Sequence, residues 1–413
     1  MFSTEDSILP VFMVVHESPI DRTYQYLLIA AFFFLPITVL GNNIAIWLIV
    51  ILWFFSGNYK EKFQQIKNHS LALASILFFL IHFLALIWTE NLDWGFEIVR
   101  KMLPFLFVLP AFLTISRIEN TRYYITAFLI AIAISESLSY LIWFGIIEPF
   151  KYATGIENPT PLMSHTSYNP FLAFAFYLVV NKLLSGGKMS QLERAVYTFF
   201  ALTMTFNMFI TGGRAGQVMF FTAVIFLVFQ YFKNSQVKAI IVSLILIFSI
   251  SVTAYFSSPI FQERVQMVAD EISHYNDNSA SKNSAMGLRI TFFINTLELI
   301  KKSPILGVGT GDFPDEYEKV NNIRSQDVVS TVQPHNMYLL VLAQLGILGL
   351  ASLAWIFYLQ FRIALSSSNQ FVHHVGVAMP IFFLIIMWSD SYLLGHYTGN
   401  LFILFSSFIY SNR

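Results

Sequence analysis

The 413-residue chain contains no cysteine and few charged residues. Without thiols it can form neither disulfides nor cysteine-based metal sites. Charged residues make up 12% of the chain and hydrophobic residues 56%, whereas a soluble domain carries about 25% charged residues. The formal net charge is zero, so the composition gives no indication of nucleic acid as a partner. The low charge content points instead to a lipid environment.

Apolar runs close to the length of a bilayer span recur along the whole chain. They predict an all-α, polytopic membrane protein with about twelve transmembrane helices, in residues 1–256 and 336–413, on either side of an outer loop over residues 257–335. The Gly41-Asn42-Asn43 sequence is expected to form a tight hairpin before a short second helix. The predicted helices are Tyr26–Leu40, Ile44–Phe55, Leu71–Trp88, Met102–Ile115, Tyr124–Ile146, Pro170–Leu184, Ala195–Ile210, Ala215–Phe232, Ala239–Phe256, Met337–Phe361, Val375–Trp388 and Leu393–Tyr410.

Lysine and arginine in the short loops predict the orientation, because cytoplasmic loops carry an excess of them. We therefore expect the richer set of loops, and both termini, to be cytoplasmic, and the long loop to lie outside. The richer set holds Lys60, Lys62, Lys67, Arg117, Arg122, Lys182, Lys188, Arg194, Lys233, Lys238 and Arg362. The alternating set holds Arg100, Lys101, Lys151 and Arg214.

The outer loop is predicted to contain two helices separated by a polar insert, Asn276 to Asn283. The first covers Pro259 to Tyr275. The second is amphipathic and lies on or near the membrane, with Arg289 at the border of its apolar face. That face consists of Met286, Ile290, Phe293, Ile294, Leu297 and Ile300.

His335 lies where the outer loop runs into the tenth predicted helix. Imidazole titrates near neutral pH, so a histidine at a water–lipid boundary can act as a general base. In isolation, its commoner role is an interfacial residue beside Asn336, which would cap the helix.

Two arginines are predicted on the same outer side. Arg214 follows Gly212-Gly213 in a nearly minimal loop, and Arg289 lies on the amphipathic helix. A guanidinium group suits a phosphate or diphosphate clamp, although each arginine alone could simply contact lipid headgroups. Together with His335 they suit an anionic, lipid-linked substrate.

Other polar residues leave further possibilities open. Asp390, in the last outer loop, could approach His335 and orient it. His165 is a second outer polar group, at the start of a helix. Glu136 and His82 lie inside predicted spans, which leaves a proton-coupled transporter as an alternative class. The outer loops lack the His-Glu-x-x-His and Asp-x-Asp motifs, so no metal site is expected.

Several motifs resemble those of the O-antigen ligase family, over roughly Thr211 to Leu350. They run from Arg289 through Pro304-x-x-Gly307-x-Gly309 to His335-Asn336-x-Tyr338-Leu339 and Gln344-Leu345-Gly346-Ile347-Leu348-Gly349. The Gly213-Arg214 turn is similar to the arginine of an earlier outer loop in that family.

The resemblance implies a metal-independent glycosyltransferase without a cofactor, active at the periplasmic face of the bacterial inner membrane. It would transfer O-antigen from undecaprenyl diphosphate to lipid A–core oligosaccharide, in contact with membrane lipids. Arg214 and Arg289 would hold the diphosphate, and His335 would serve as base with Asp390 as partner. The accessory candidates are His165, Asn336 and Tyr338.

The same signature is shared by O-antigen polymerases and by ligases that glycosylate proteins, so the sequence leaves the acceptor open. A non-catalytic membrane scaffold for polysaccharide assembly is a further alternative.

Overall fold

The computed structural model describes residues 14–15, 17–187, 189–273 and 283–411, and this part of the chain is built of helices. The β-structure of these residues is limited to one isolated bridge between Gly155 and Asn158. The α-helices are α1 Pro19–Phe34, α2 Val39–Phe55, α3 Tyr59–Asn68, α4 Ser70–Leu84, α5 Leu92–Leu103, α6 Leu109–Ile115, α7 Thr121–Trp143, α8 His165–Leu184, α9 Gln191–Ile210, α10 Arg214–Tyr231, α11 Gln236–Ser257, α12 Pro259–Ser273, α13 Ala285–Lys302, α14 Phe313–Arg324, α15 Met337–Ser366, α16 Gln370–Ile386 and α17 His396–Ile409.

The prediction of an all-α, multi-pass membrane protein is confirmed. Within the described residues, 6 helical segments are long and apolar enough to cross a membrane, or up to 7 if the bent pair α2 and α3 is one span. Each of the predicted apolar segments overlaps a helix of the structure. The helices that do not qualify as membrane spans are shorter or more polar than those that do. Lys188 and residues 276–282 of the predicted polar insert lie outside the described residues.

The predicted hairpin at Gly41-Asn42-Asn43 is wrong. These residues lie inside α2, which begins at Val39 and has 17 residues, and the chain turns earlier, after α1. Asn42 explains the difference, because its buried Nδ2 donates to the Ala31 carbonyl oxygen of α1 at 2.9 Å. The asparagine links two packed helices, whereas in sequence it resembles a turn residue.

The face of the molecule that carries α12, α13 and α14 is called the site face below. Here α13 and α14 pack on the first turns of α15 through a small apolar core, which is separate from the main core of the helix bundle. Its buried members are Phe292, Leu299, Ile300, Phe313, Tyr317, Val320, Leu339, Leu340 and Ala343.

Helix α13 confirms the predicted helix in the outer loop, and its two faces differ. The protein-facing side buries residues such as Thr291, Phe292 and Asn295. Phe293, Ile294 and Leu297, from the predicted apolar face, are 37–40% exposed in the described structure, whereas Ile300 of the same predicted face is buried against α15. This exposure agrees with the expectation that the apolar face meets lipid.

A backbone contact joins the Gly307-x-Gly309 turn to α15. The amide of Val308 donates to the Ala343 carbonyl at 2.9 Å, and the amide of Gly309 donates to the Gln344 carbonyl at 3.0 Å. Gly346 interrupts α15 with a φ of 62°, and a Cβ there would lie 2.1 Å from the carbonyl oxygen of Ile305. We call this contact the glycine interlock; it fixes α13 and α14 against α15.

The glycine interlock predicts that Gly346→Ala destabilises the protein more than Gly57→Ala. Both glycines have positive φ, but Gly57 has open space where a Cβ would lie. Gly57→Ala should cost about 1–2 kcal/mol for the left-handed backbone, and the crowded site should add about 1–3 kcal/mol. Thermal unfolding of the purified variants in detergent measures the difference. Equal losses of stability would contradict the interlock.

Candidate functional site

The His335 imidazole contacts the Asp390 carboxylate at the start of α15. Its Nδ1 lies 3.2 Å from Asp390 Oδ1, and its ring lies nearly parallel to Phe292 at 6.0 Å between centroids. The side chain of His335 is 34% exposed, so it is held and still accessible. With the Nδ1 proton donated to the carboxylate, Nε2 carries the lone pair, which is the tautomer that a general base requires.

The backbone of His335 adopts the left-handed conformation, with a φ of 50°. This conformation is uncommon for a residue other than glycine, although histidine adopts it more often than most. It places the imidazole just before α15 starts. The side chain of the next residue, Asn336, caps the helix by accepting from the Leu339 amide at 3.1 Å. The structure therefore gives the capping role to Asn336 and leaves the histidine ring outside the helix.

The loop that carries Asp390 is tied to the start of α15. Asn336 Nδ2 donates to the Trp388 carbonyl at 3.3 Å, and the Met337 amide donates to the Met387 carbonyl at 2.9 Å. Asp390 Oδ1 also accepts from the Ser391 amide at 2.7 Å. These bonds hold the carboxylate toward the histidine.

Tyr338, like Asn336, is engaged in packing between helices. Its hydroxyl donates to the Leu384 carbonyl of α16, and the centroid of its ring lies 5.2 Å from the centroid of the Trp388 ring. The structure therefore places both accessory candidates in the support of the His335–Asp390 pair.

Arg289 lies on α13, one turn before Phe292, whose ring stacks on His335. Its charge reaches Tyr392, two residues after Asp390. Burial raises the pKa of the Tyr392 hydroxyl, Asp390 raises it further, and Arg289 opposes the rise. Arg289 is thus on the same side of the molecule as the His335–Asp390 pair.

Arg214 is the first residue of α10, and the loop before it is shaped by Asn169 of α8. The Thr211 hydroxyl donates to Asn169 Oδ1 at 2.7 Å, and Asn169 Nδ2 donates to the Gly213 carbonyl at 3.2 Å. A Cβ on Gly213 would lie 2.5 Å from the His165 carbonyl oxygen. The glycine therefore brings the start of α10, with Arg214, against the start of α8, with His165.

Arg264, on α12, is a third cation here and was not identified from the sequence. Its Nη2 lies 3.5 Å from the position that a Cβ on Gly212 would occupy. Burial first, and the charge of Arg264 second, lower the pKa of the His165 imidazole, whose Nδ1 lies 3.1 Å from Asn158 Nδ2. The signal that could have identified Arg264 is that it is the basic residue of an otherwise acidic and apolar segment.

A family comparison supports the resemblance seen in the sequence. Residues 199–354 match the family described as O-antigen ligase. Over this range the chain is similar to the O-antigen ligase family. An uncharacterized protein of Haemophilus influenzae is 24% identical over 399 residues, which cover 92% of this chain and 96% of that protein. The similarity to that protein thus extends well beyond residues 199–354, which we call the ligase-family range.

The ligase-family range contains some of the site residues and excludes others. Arg214, Arg264, Arg289 and His335 lie inside residues 199–354. Asp390 lies outside and is brought to His335 by the packing of α16 and α17 around α15. The matched range therefore holds the arginines and the histidine together, whereas Asp390 joins them only through the packing of the helices.

The two ionisable residues predicted inside spans are buried away from solvent. His82 lies on α4, where its Nδ1 is 2.9 Å from the Phe78 carbonyl oxygen. Its own carbonyl accepts from the Thr310 hydroxyl at 2.7 Å, which connects α4 to the loop after α13. Glu136 lies on α7, in electrostatic range of Tyr140 and Tyr168. His82 therefore supports the attachment of the site-face loop to the helix bundle.

Among the described residues there is no group of three or more His, Asp or Glu side chains that could hold a metal ion.

The tie between Asn336 and the Asp390 loop predicts different consequences for two capping asparagines. Asn336→Ala and Asn369→Ala each remove a side chain that accepts from the first turn of a helix. Each should lower stability by about 1 kcal/mol. We expect only Asn336→Ala to lower glycan transfer as well, because only Asn336 also binds the loop of Asp390. Thermal unfolding and surface polysaccharide are the two measurements; equal transfer by both variants would contradict this role.

Proposed function

We propose that this protein transfers a glycan from undecaprenyl diphosphate to lipid A–core oligosaccharide. The observation that carries the proposal is the 3.2 Å contact between His335 and Asp390 on the face that also presents Arg214, Arg264 and Arg289. A base next to fixed positive charge is the arrangement that an activated lipid diphosphate requires as glycosyl donor.

The chemistry follows from these positions. His335 Nε2 takes the proton of an acceptor hydroxyl, and that oxygen attacks the anomeric carbon of the donor sugar. The bond from this carbon to the diphosphate oxygen breaks, and its electron pair leaves with undecaprenyl diphosphate. Asp390 stabilises the imidazolium that forms, as carboxylates do beside catalytic histidines.

Negative charge grows on the diphosphate as it leaves, and the arginines would stabilise it there. Guanidinium groups bind phosphate oxygens through paired N–H donors and keep their charge at any physiological pH. Arg214 and Arg264 approach from α10 and α12, and Arg289 approaches from α13 beside Tyr392. Since the packed helices set the backbone positions of these arginines before the reaction, only their side chains need to adjust in the transition state.

The cellular placement belongs to the same proposal. Both termini would be cytoplasmic, and the site face would be periplasmic, in the inner membrane. The distribution of lysine and arginine supports this orientation, because the loops that lead to the site face are the poorer set. An undecaprenyl-linked donor presents its diphosphate at the surface of the bilayer, and α13 lies at that level if Phe293, Ile294 and Leu297 contact lipid.

The proposal predicts that His335→Ala, Arg214→Ala and Arg289→Ala each abolish transfer while the protein still inserts and folds. Loss of the base should cost about 10²–10⁴-fold in rate, and loss of one charge-stabilising group about 10²–10³-fold. A deletion strain of the native host, complemented with each variant, is tested for surface polysaccharide, and membrane extracts are tested for folded protein.

Arg324→Ala is the matched control for this experiment. Arg324 lies on α14 of the site face, and its side chain is exposed beside Glu298. We expect normal transfer from this variant. Normal surface polysaccharide in all three site variants would refute the proposal.

An O-antigen polymerase of the same family would use the same donor and a different acceptor. The deletion strain therefore also distinguishes the ligase reaction from the polymerase reaction. If the protein is a ligase, lipopolysaccharide gels of the deletion strain should lose the O-antigen ladder while undecaprenyl-linked polymer accumulates. A single repeat attached to the core would identify a polymerase instead.

A further inference from the structure

A cavity of about 300 Å³ lies directly beside Asp390, and Tyr392 is also in its lining. This volume is at the lower end of the roughly 300–1,000 Å³ of small-molecule sites, and it suits one sugar unit. Five separate parts of the chain line it: α5, the start of α8, the segment before His335, α15, and the loop between α16 and α17 together with the first turn of α17. The polar and aromatic lining residues used below are Trp94, Lys101, Thr166, Gln333, Ser391 and Tyr392.

Two hydrogen-bonding groups of this cavity have no partner within the described structure. The Oγ of Ser391 is buried, in a residue that is 4% exposed, and the indole Nε1 of Trp94 is buried as well. A buried tryptophan N–H normally has an acceptor, and an unpartnered buried polar group costs stability. Both residues line the cavity, so a ligand bound there is the candidate partner for both groups.

The chemistry of the lining points to a sugar. The Trp94 ring offers an apolar face and an N–H donor, while Gln333, Thr166 and Ser391 offer amide and hydroxyl groups that can exchange hydrogen bonds with sugar hydroxyls. Lys101 adds one positive charge, held 3.5 Å from Glu97 and 5.8 Å from the centre of the Trp94 ring. An acidic or phosphorylated sugar would complement this lysine.

The position of the cavity favours the acceptor over the donor. Its lining includes Asp390 but none of Arg214, Arg264 or Arg289. Tyr392 forms part of the wall, and its hydroxyl lies 3.3 Å from the Thr166 carbonyl oxygen. The donor sugar must stay beside the arginines because it is bonded to the diphosphate. The sugar that gives its proton to His335 needs a separate position beside the same His335–Asp390 pair.

We propose that this cavity binds the sugar of the acceptor that carries the attacking hydroxyl, with Trp94 and Ser391 as hydrogen-bonding residues. The proposal rests on the proposed function, because it names the acceptor position of that same site.

Two-substrate kinetics of the full-length protein in detergent test the assignment. The donor is polyprenyl diphosphate-linked glycan and the acceptor is lipid A–core oligosaccharide, both isolated from the deletion strain. For Ser391→Ala and Trp94→Phe we expect the acceptor KM to rise about 3- to 10-fold, the effect of one lost hydrogen bond. The donor KM should stay constant, and thermal stability should be equal or higher, because each change removes an unpartnered group.

Ser243→Ala and Trp355→Phe are the matched controls. Ser243 is also buried with an unpartnered Oγ, but it lies on α11, and Trp355 is an exposed tryptophan of α15. Neither should change either KM.

The outcomes separate the two proposals. Transfer by the wild type with an unchanged acceptor KM in both cavity variants overturns the acceptor cavity alone. A rise in the donor KM alone places the donor sugar in the cavity and also overturns the assignment. A folded wild type that transfers no glycan between these substrates overturns the proposed function, and the acceptor cavity with it.

Discussion

The glycine interlock is the contact on which the arrangement of the site depends. Backbone amides of Val308 and Gly309 pair with carbonyl groups of α15 just before Gly346 interrupts the helix. Because the segment after α13 is fixed there, α13 cannot slide along α15. Arg289 lies on the first of these helices and His335 precedes the second, so the glycine interlock fixes the relative position of the backbone segments that carry them. Side chains that pack more loosely could not define that position as well.

The other charged groups reach the site from separate helices. Arg214 starts α10, Arg264 lies on α12, and Asp390 follows α16. No single loop contains the site, which exists only when the helices are packed. Asn169 has a role similar to that of the glycine interlock, because its side chain forms hydrogen bonds with Thr211 and Gly213 and so holds the loop before Arg214. Rigid backbone contacts thus fix the points from which the arginine side chains extend, which limits the backbone entropy lost when an anion binds.

The helical architecture could be predicted from the sequence because a bilayer leaves few choices to an apolar chain. The proximity of Asp390 to His335 could be predicted from topology and family likeness, and the structure brings the two side chains into contact, although their catalytic roles stay predictions. The prediction of a turn near Gly41 was wrong because asparagine is common in loops, whereas Asn42 is buried and forms a hydrogen bond between two helices. Arg264 and the cavity beside Trp94 were not predicted. Both depend on which segments pack together, and periodicity does not contain that information.

Helix α13 presents apolar residues on two sides, and this arrangement bears on how the protein sits in the membrane. One side packs on α15 beneath His335, while Phe293, Ile294 and Leu297 point outward. In a bilayer, contact with acyl chains would stabilise these outward residues and so set the depth of α13. Arg289 would then stand at a constant height above the hydrocarbon core. A lipid-linked diphosphate has its own height fixed by its polyprenyl tail. The protein and its proposed donor would thus be held at matching depths by the same membrane surface, which reduces their encounter to a search in two dimensions.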